Sequence, residues 1–351
     1  MKFGLDIFPD RGPDTRPANQ YYKEVLDLTE RADQLGFYSV KIVEHYAFAY
    51  GGYSPNPLLF LSAAAQRTKH LRLVTGCVLP AFSHPVKLAG ELAMVDAISN
   101  GRLEVGFARA FIPGEFDAFG ISMDESRARF DQGIEAIKEL WTKKKASYKG
   151  SIYSFENVES LPRPTQQPYP PIWIAAVATP ASYEWAGKMG YNLMIVPYLG
   201  NFAELKEHIE LYKEAYESNG HGKVTPDNFM MVLHTVVADT EEEAIKIAKP
   251  ASESYIEVFK EAASSWNQTV SKDYQKYNLL PQLLDALSFD RILNEKRAVI
   301  GTPDQVYESI RRLTDYFGCG QLSLQMYFGG ITYEQAKNSM ELFASKVMNR
   351  F

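Results

Sequence analysis

Short runs of apolar, often β-branched residues alternate along this chain with longer stretches in which apolar side chains recur every three or four positions. These are the signatures of buried strands and of helices packed on one face. KFGLDIF (2–8) reads as a strand, and residues 20–35 carry Val25, Leu28, Ala32 and Leu35 at helical spacing before a capping Gly36. FYSVKIV (37–43) is a second strand. After an Asn-Pro turn, the pattern predicts a helix over 57–69, a strand in LRLVTGCVLP (71–80) and a helix over 84–99 that opens with proline. The alternation continues with strand RLEVGFA (102–108), helix 124–142, strand PIWIAAV (171–177), helix 180–189, strand NLMIVP (192–197) and helix 202–218. Strand FMMVLHTVVA (229–238), helices 240–263 and 303–317, strand QLSLQM (321–326) and helix 332–348 complete the chain.

Eight strands separated by helices imply parallel pairing through right-handed crossovers. Eight such units favour closure into an α/β fold of the (β/α)8 TIM-barrel type over an open doubly wound sheet. Two segments interrupt the alternation. YKGSIYSFENV and the proline-rich LPRPTQQPYPP (within 146–170) read as a β-hairpin insertion and an extended tether between strands four and five. SSWNQTVSKDYQKYNLLPQ has no clear period and reads as a lid-like insertion late in the chain. No low-complexity linker interrupts residues 1–351, so a single domain is expected.

The formal charge of −6, with no basic block, argues against a nucleic-acid groove or an anionic membrane surface as the main partner. A small molecule is expected instead. Cys77 and Cys319 stand far apart without zinc-site spacing, which fits a reducing compartment. The N-terminus lacks the apolar region of a signal peptide and no later run approaches membrane-spanning length, so a cytoplasmic protein is expected.

In such a barrel the chemistry lies at the C-terminal ends of the strands. Strand two ends in Glu44, His45 and Tyr46; Arg109 and Phe111 follow strand four, Thr179 and Ser182 strand five, and Tyr198 strand six. An imidazole at that rim suits proton transfer, and a neighbouring carboxylate either accepts a backbone N–H, orients a ring or pairs with an arginine. His84 reads as a helix entry, His70, His208 and His221 as solvated, and His234 as a core histidine. HExxH, GxSxG, GxxxxGK[ST] and GxGxxG are all absent. TPASYEW opens a helix with hydroxyls and free amides, which serves either as a phosphate cradle or as plain capping by Thr179; Arg109 and Arg127 favour the cradle.

From MKFGLDIF through VEHYAFAYGGYSPNP, LPAFSHPVKLAGELAMVDAISNGRLEVGFARAF, MDESRARF, PIWIAAVATPASYEWAGKMG and VIGTPDQVYESI to MELFASKVM, the chain resembles the bacterial luciferase-like flavin monooxygenases. The resemblance implies reduced FMN supplied by a separate reductase, O2 as co-substrate, a flavin hydroperoxide and a small organic substrate. It implies that His45 is the catalytic histidine and Glu44 the acidic residue before it, while Tyr46 departs from the usual second histidine. Arg109, Arg127, Thr179 and Ser182 match phosphate-contacting positions. Ala178 stands where the light-emitting enzymes have a glutamate, leaving its backbone to contribute, and Ala108 stands where they have a reactive cysteine. Thr75 and Gly76 match the strand end that often carries a non-prolyl cis peptide under the flavin ring. Phe8, Tyr46, Phe48, Tyr53, Phe111 and Tyr198 are expected to shape an apolar pocket. A homodimer packed through the helices after strands two and three is also implied. Two rival readings keep the barrel: hydride transfer with the deazaflavin F420, and a flavin-binding or subunit-like protein without catalysis.

Overall fold

The computed structural model describes residues 1–177, 179–197, 200–275 and 277–351. Its strands are β1 (Lys2–Ile7), β2 (Ser39–Ile42), β3 (Arg72–Thr75), β4 (Leu103–Phe107), β5 (Ala146–Lys149), β6 (Ser154–Val158), β7 (Ile172–Ala175), β8 (Asn192–Ile195), β9 (Phe229–Val237), β10 (Val299–Gly301) and β11 (Gln321–Gln325). Parallel pairing runs β1-β2-β3-β4-β7-β8-β9-β11 and returns to β1, closing an eight-stranded barrel. These are the eight strands that the apolar pattern predicts. β5 and β6 form the expected antiparallel hairpin between the fourth and fifth barrel strands. β10 is an addition: three residues that extend the pairing of β9 past the barrel rim, too short to show a period of their own.

Closure explains why these strands read as continuous apolar runs, since both faces are covered. Leu5, Val40, Leu73, Leu103, Val105 and Leu324 point outward and are buried beneath the helices. Inside, Val74, Cys77, Trp173, Met194 and Met230 form a compact apolar plug. Four adjacent strands also carry polar residues at inward positions. Asp6 pairs in register with Lys41, and Gln325 with His234; the register Leu5↔Leu324 places Asp6 beside Gln325.

Most predicted helices are present within a few residues of their expected ends, and His84 caps the helix Pro85–Ile98, its Nδ1 accepting from the Val86 N–H. The short helices Pro113–Phe119, Leu280–Asp285 and Phe289–Asn294 are not legible in the periodicity, because one or two turns hold too few apolar repeats. Of the described helices, none is long and apolar enough to cross a membrane. Both cysteines are buried as free thiols.

Candidate active site

The loop after β2 is shaped around His45. Its backbone N–H donates to the Ser54 carbonyl at 3.2 Å, and the Ser54 hydroxyl donates back to the Val43 carbonyl at 2.5 Å, so the GGYSPNP segment folds over the strand end. Gly51 has φ +75°, and a β-carbon there would fall 2.5 Å from the His45 β-carbon; glycine is required on both counts. Asn56 then caps the helix Pro57–Arg67, its side chain accepting from Leu58 and Leu59. The imidazole that results is held rather than solvated, with the residue only 8% exposed.

What holds the ring is a residue that sequence reasoning missed. His45 Nδ1 lies 2.9 Å from Oε1 of Glu115, which is fully buried and also accepts the Tyr46 backbone N–H at 2.8 Å. Glu115 sits in the first turn of Pro113–Phe119, where a carboxylate is favoured by the helix dipole. Proline at the first position and an acid two residues later in IPGEF were the available signal. With Nδ1–H donating to this carboxylate, Nε2 is the nitrogen left for proton exchange. Glu115→Gln is therefore expected to reduce turnover roughly ten- to a hundredfold while leaving the fold intact, because an oriented histidine loses its tautomer preference when the carboxylate is removed. Steady-state rates beside thermal melts check this; unchanged turnover would make Glu115 a packing residue.

Glu44 faces the other way. Oε1 accepts from the Tyr46 hydroxyl at 2.5 Å and Oε2 from the Leu79 N–H at 3.1 Å, so it takes the backbone-acceptor role and neither orients His45 nor pairs with an arginine. Burial, outweighing both hydrogen bonds, pushes this carboxyl up to about 8 from 4.5. The folded protein thus holds the proton more tightly than the unfolded chain does. The contribution is complete below about pH 4.5 and is lost as pH rises through about 8. Asp10, raised by burial to about 6, adds a decline of the same sign at lower pH. Glu44→Gln should flatten the fall of Tm between about pH 6 and 8 and raise Tm at the upper end, measured by thermal melts across that range.

The expected pocket aromatics divide into groups. Phe8 and Phe111 approach His45 with ring centroids at 5.8 and 6.1 Å. Tyr50, Tyr255 and Phe259, which were not anticipated, complete that cluster: Tyr50 stacks on Phe259 at 4.4 Å, and Phe8 lies edge-on to Tyr255 at 5.6 Å. Tyr46 turns to Phe82 and Phe119 instead, following its bond to Glu44. Phe48 lies against Gly114, where a β-carbon would meet its ring at 2.7 Å. Tyr53 does not join the His45 cluster; it packs on Tyr21 and Tyr22, and its hydroxyl donates to the Arg16 carbonyl. Tyr198 and Ala178 lie outside the described residues.

The late insertion seats on the loop after β4. Arg109 Nη2 donates to the Asp273 carbonyl at 2.8 Å and the guanidinium lies 4.3 Å from the centre of the Tyr274 ring. Trp266 Nε1 donates to the Phe111 carbonyl at 2.9 Å. Arg127 meets Asp131 at 3.5 Å, and Arg109 also acts on that carboxylate, so both guanidiniums bear on the same side chain. The helix carrying Arg127 (Ser126–Thr142) packs on Pro180–Lys188 through Phe130 and Trp185. At the head of the latter, Thr179 makes no side-chain capping bond and the Ser182 N–H donates to the Thr179 carbonyl. On β3, the Thr75 hydroxyl is spent on β4, donating to the Gly106 carbonyl at 2.9 Å and accepting its N–H at 2.8 Å. The Gly76–Cys77 peptide bond is cis.

Residues 1–318 match the family model described as luciferase-like monooxygenase. The chain belongs to that family. It has relatives that span it entirely. It is 34% identical, over all of this chain and 96% of the other, to the oxygenase component of a flavin-dependent trigonelline monooxygenase from Acinetobacter baylyi. The crystal structure of monooxygenase RslO1 from Streptomyces bottropensis is 42% identical with a TM-score of 0.90, covering 100% and 99% of the two chains. The oxygenating constituent of 3,6-diketocamphane monooxygenase from Pseudomonas putida, in complex with FMN, shares the fold at 20% identity and a TM-score of 0.82, again with 100% and 99% coverage.

Proposed function

We propose that this protein is the oxygenase of a two-component, FMN-dependent monooxygenase: a separate reductase supplies reduced FMN, and the protein uses O2 to oxygenate a small organic substrate. The observation that carries the reading is a histidine whose Nδ1 is held by a buried carboxylate, on the same barrel mouth as Arg109 and Arg127. A relative described as an oxygenase component supports the separate reductase. The residues fit the cofactor. Arg109 and Arg127 both bear on the carboxylate of Asp131, and the Thr179 hydroxyl is not used in capping, an arrangement that suits a phosphate dianion. Ser182 would join them, with the Thr75–Gly76 strand end under the ring. Bound there, reduced FMN supplies the electrons that activate O2.

His45 exchanges a proton at Nε2, with Glu115 holding its tautomer. Glu44 acts at the same strand end by fixing Tyr46 and the Leu79 backbone. Phe8 and Phe111 form the apolar wall beside His45 and exclude water, with Phe48 and Tyr46 further out. The chain works as one domain in the cytoplasm. It pairs as a homodimer through Pro57–Arg67 and Pro85–Ile98, where Leu59, Met94 and Ile98 leave apolar side chains exposed. Anaerobic titration tests the reading: the protein should purify nearly colourless and bind reduced FMN more tightly than oxidised FMN, then form product when O2 and substrate are admitted. A tightly held stoichiometric oxidised flavin, or a deazaflavin spectrum, contradicts it.

A further inference from the structure

Barrel interiors of this type are filled mainly by branched apolar side chains, and a buried ion pair is often no more stable than an apolar replacement of equal volume. A charged pair in this layer therefore calls for a reason other than stability. Asp6 and Lys41 occupy neighbouring register positions on β1 and β2, fully buried and 3% exposed respectively, with Lys41 Nζ 2.6 Å from Asp6 Oδ1. Asp6 Oδ2 and the neighbouring Ser323 Oγ make no hydrogen bond among the described residues. Burial raises the Asp6 carboxyl and Lys41 opposes that. The lysine stem crosses directly beneath Gly76. A β-carbon built on Gly76 would fall 2.2 Å from Lys41 Cγ and 3.0 Å from Nζ, so only glycine lets the chain pass. Gly76 itself is partly exposed at the mouth, which makes it a floor one residue thick above a buried ammonium group. The ammonium's field also reaches the adjoining residue, where it works against the burial that pushes the Cys77 thiol up to about 12.

We infer that Lys41, anchored by Asp6, is a positioning residue that favours the anionic reduced form of the flavin over the neutral oxidised form. The inference rests on the reading that FMN is seated over Gly76. A reduced isoalloxazine readily loses its N1 proton and carries the charge over its pyrimidine edge, whereas the oxidised ring is uncharged. A cation under the floor stabilises the former and leaves the latter nearly untouched, and a carboxylate behind the cation partly cancels it. Each member of the pair thus has a predicted sign.

The test measures the ratio of dissociation constants for oxidised and reduced FMN by anaerobic titration. In Lys41→Met the ratio should fall by about tenfold, the effect of one charge a few ångströms away at an effective dielectric near 20 after partial cancellation. That fold-change corresponds to a drop of about 30 mV in the two-electron potential of the bound flavin. In Asp6→Asn the ratio should rise. The double variant Asp6→Asn/Lys41→Met, which buries no unpaired charge, should follow Lys41→Met and provides the measurement if the single variant folds poorly. A merely structural pair would lower Tm and leave the ratio unchanged in every variant, or shift both single variants in one direction; either result overturns the inference. Wild-type protein that binds no reduced FMN refutes the flavin reading itself, an outcome visible before any variant is made.

Discussion

Replacing His45 with alanine is expected to lower turnover by roughly a hundredfold or more, the range general acid or base catalysis supplies. An imidazole titrates near neutrality, and no other group anticipated at the end of β2 does so without a perturbed environment. The rest of the neighbourhood is built to present it: Gly51 clears its β-carbon, Ser54 ties down its backbone, and Glu115 fixes Nδ1. Affinity for reduced FMN should change far less, since the ring contributes no charge to the phosphate site. If His45 only packs against Phe8, Tyr50 and Phe111, the result reverses, with a lower Tm and near-normal turnover per folded molecule.

Arg109→Ala should weaken reduced FMN binding by about 1.5–3 kcal/mol, the range for a hydrogen bond to a charged group. The structure adds a complication that the experiment resolves. Arg109 also holds the Asp273 carbonyl and stacks on Tyr274, so its loss loosens the late insertion as well as the phosphate site. Loosening the insertion weakens FMN and riboflavin alike, whereas loss of a phosphate contact weakens FMN alone. Riboflavin affinity is therefore expected to change little. Equal losses for the two ligands would remove Arg109 from the phosphate site and leave it as an anchor of the insertion.

The His45–Glu115 pair shows how far reading along the chain reaches. His45 was legible because a β-branched run ended in polar residues, and the strand-end rule of the barrel assigned that terminus to the mouth. Its partner stands 70 residues away on a seven-residue helix, too short to be seen by periodicity. Glu44, adjacent in sequence, was the natural candidate for the partner and is turned from the histidine toward Tyr46 and Leu79. Neighbouring positions at a strand end project to opposite sides, so adjacency in the chain does not imply adjacency at the site.

Local free energies therefore determined from sequence alone where strands and helices form, that eight strands close into a barrel, that a hairpin and an insertion interrupt it, and which residues stand at the strand ends. They determined these because apolar periodicity and turn residues act over a few positions, and the closed parallel barrel is among the few arrangements that bury such a series. Tertiary structure alone decided which charged groups meet. Asp6, Lys41, Gln325 and His234 are polar residues in apolar strands, and only the register of four strands sets them in one row. Arg109 meets Asp273 across 164 positions only because the insertion folds back over the mouth. Coulomb and hydrogen-bond energies depend on distances of a few ångströms, and for residues far apart in the chain those distances exist only once the barrel has closed.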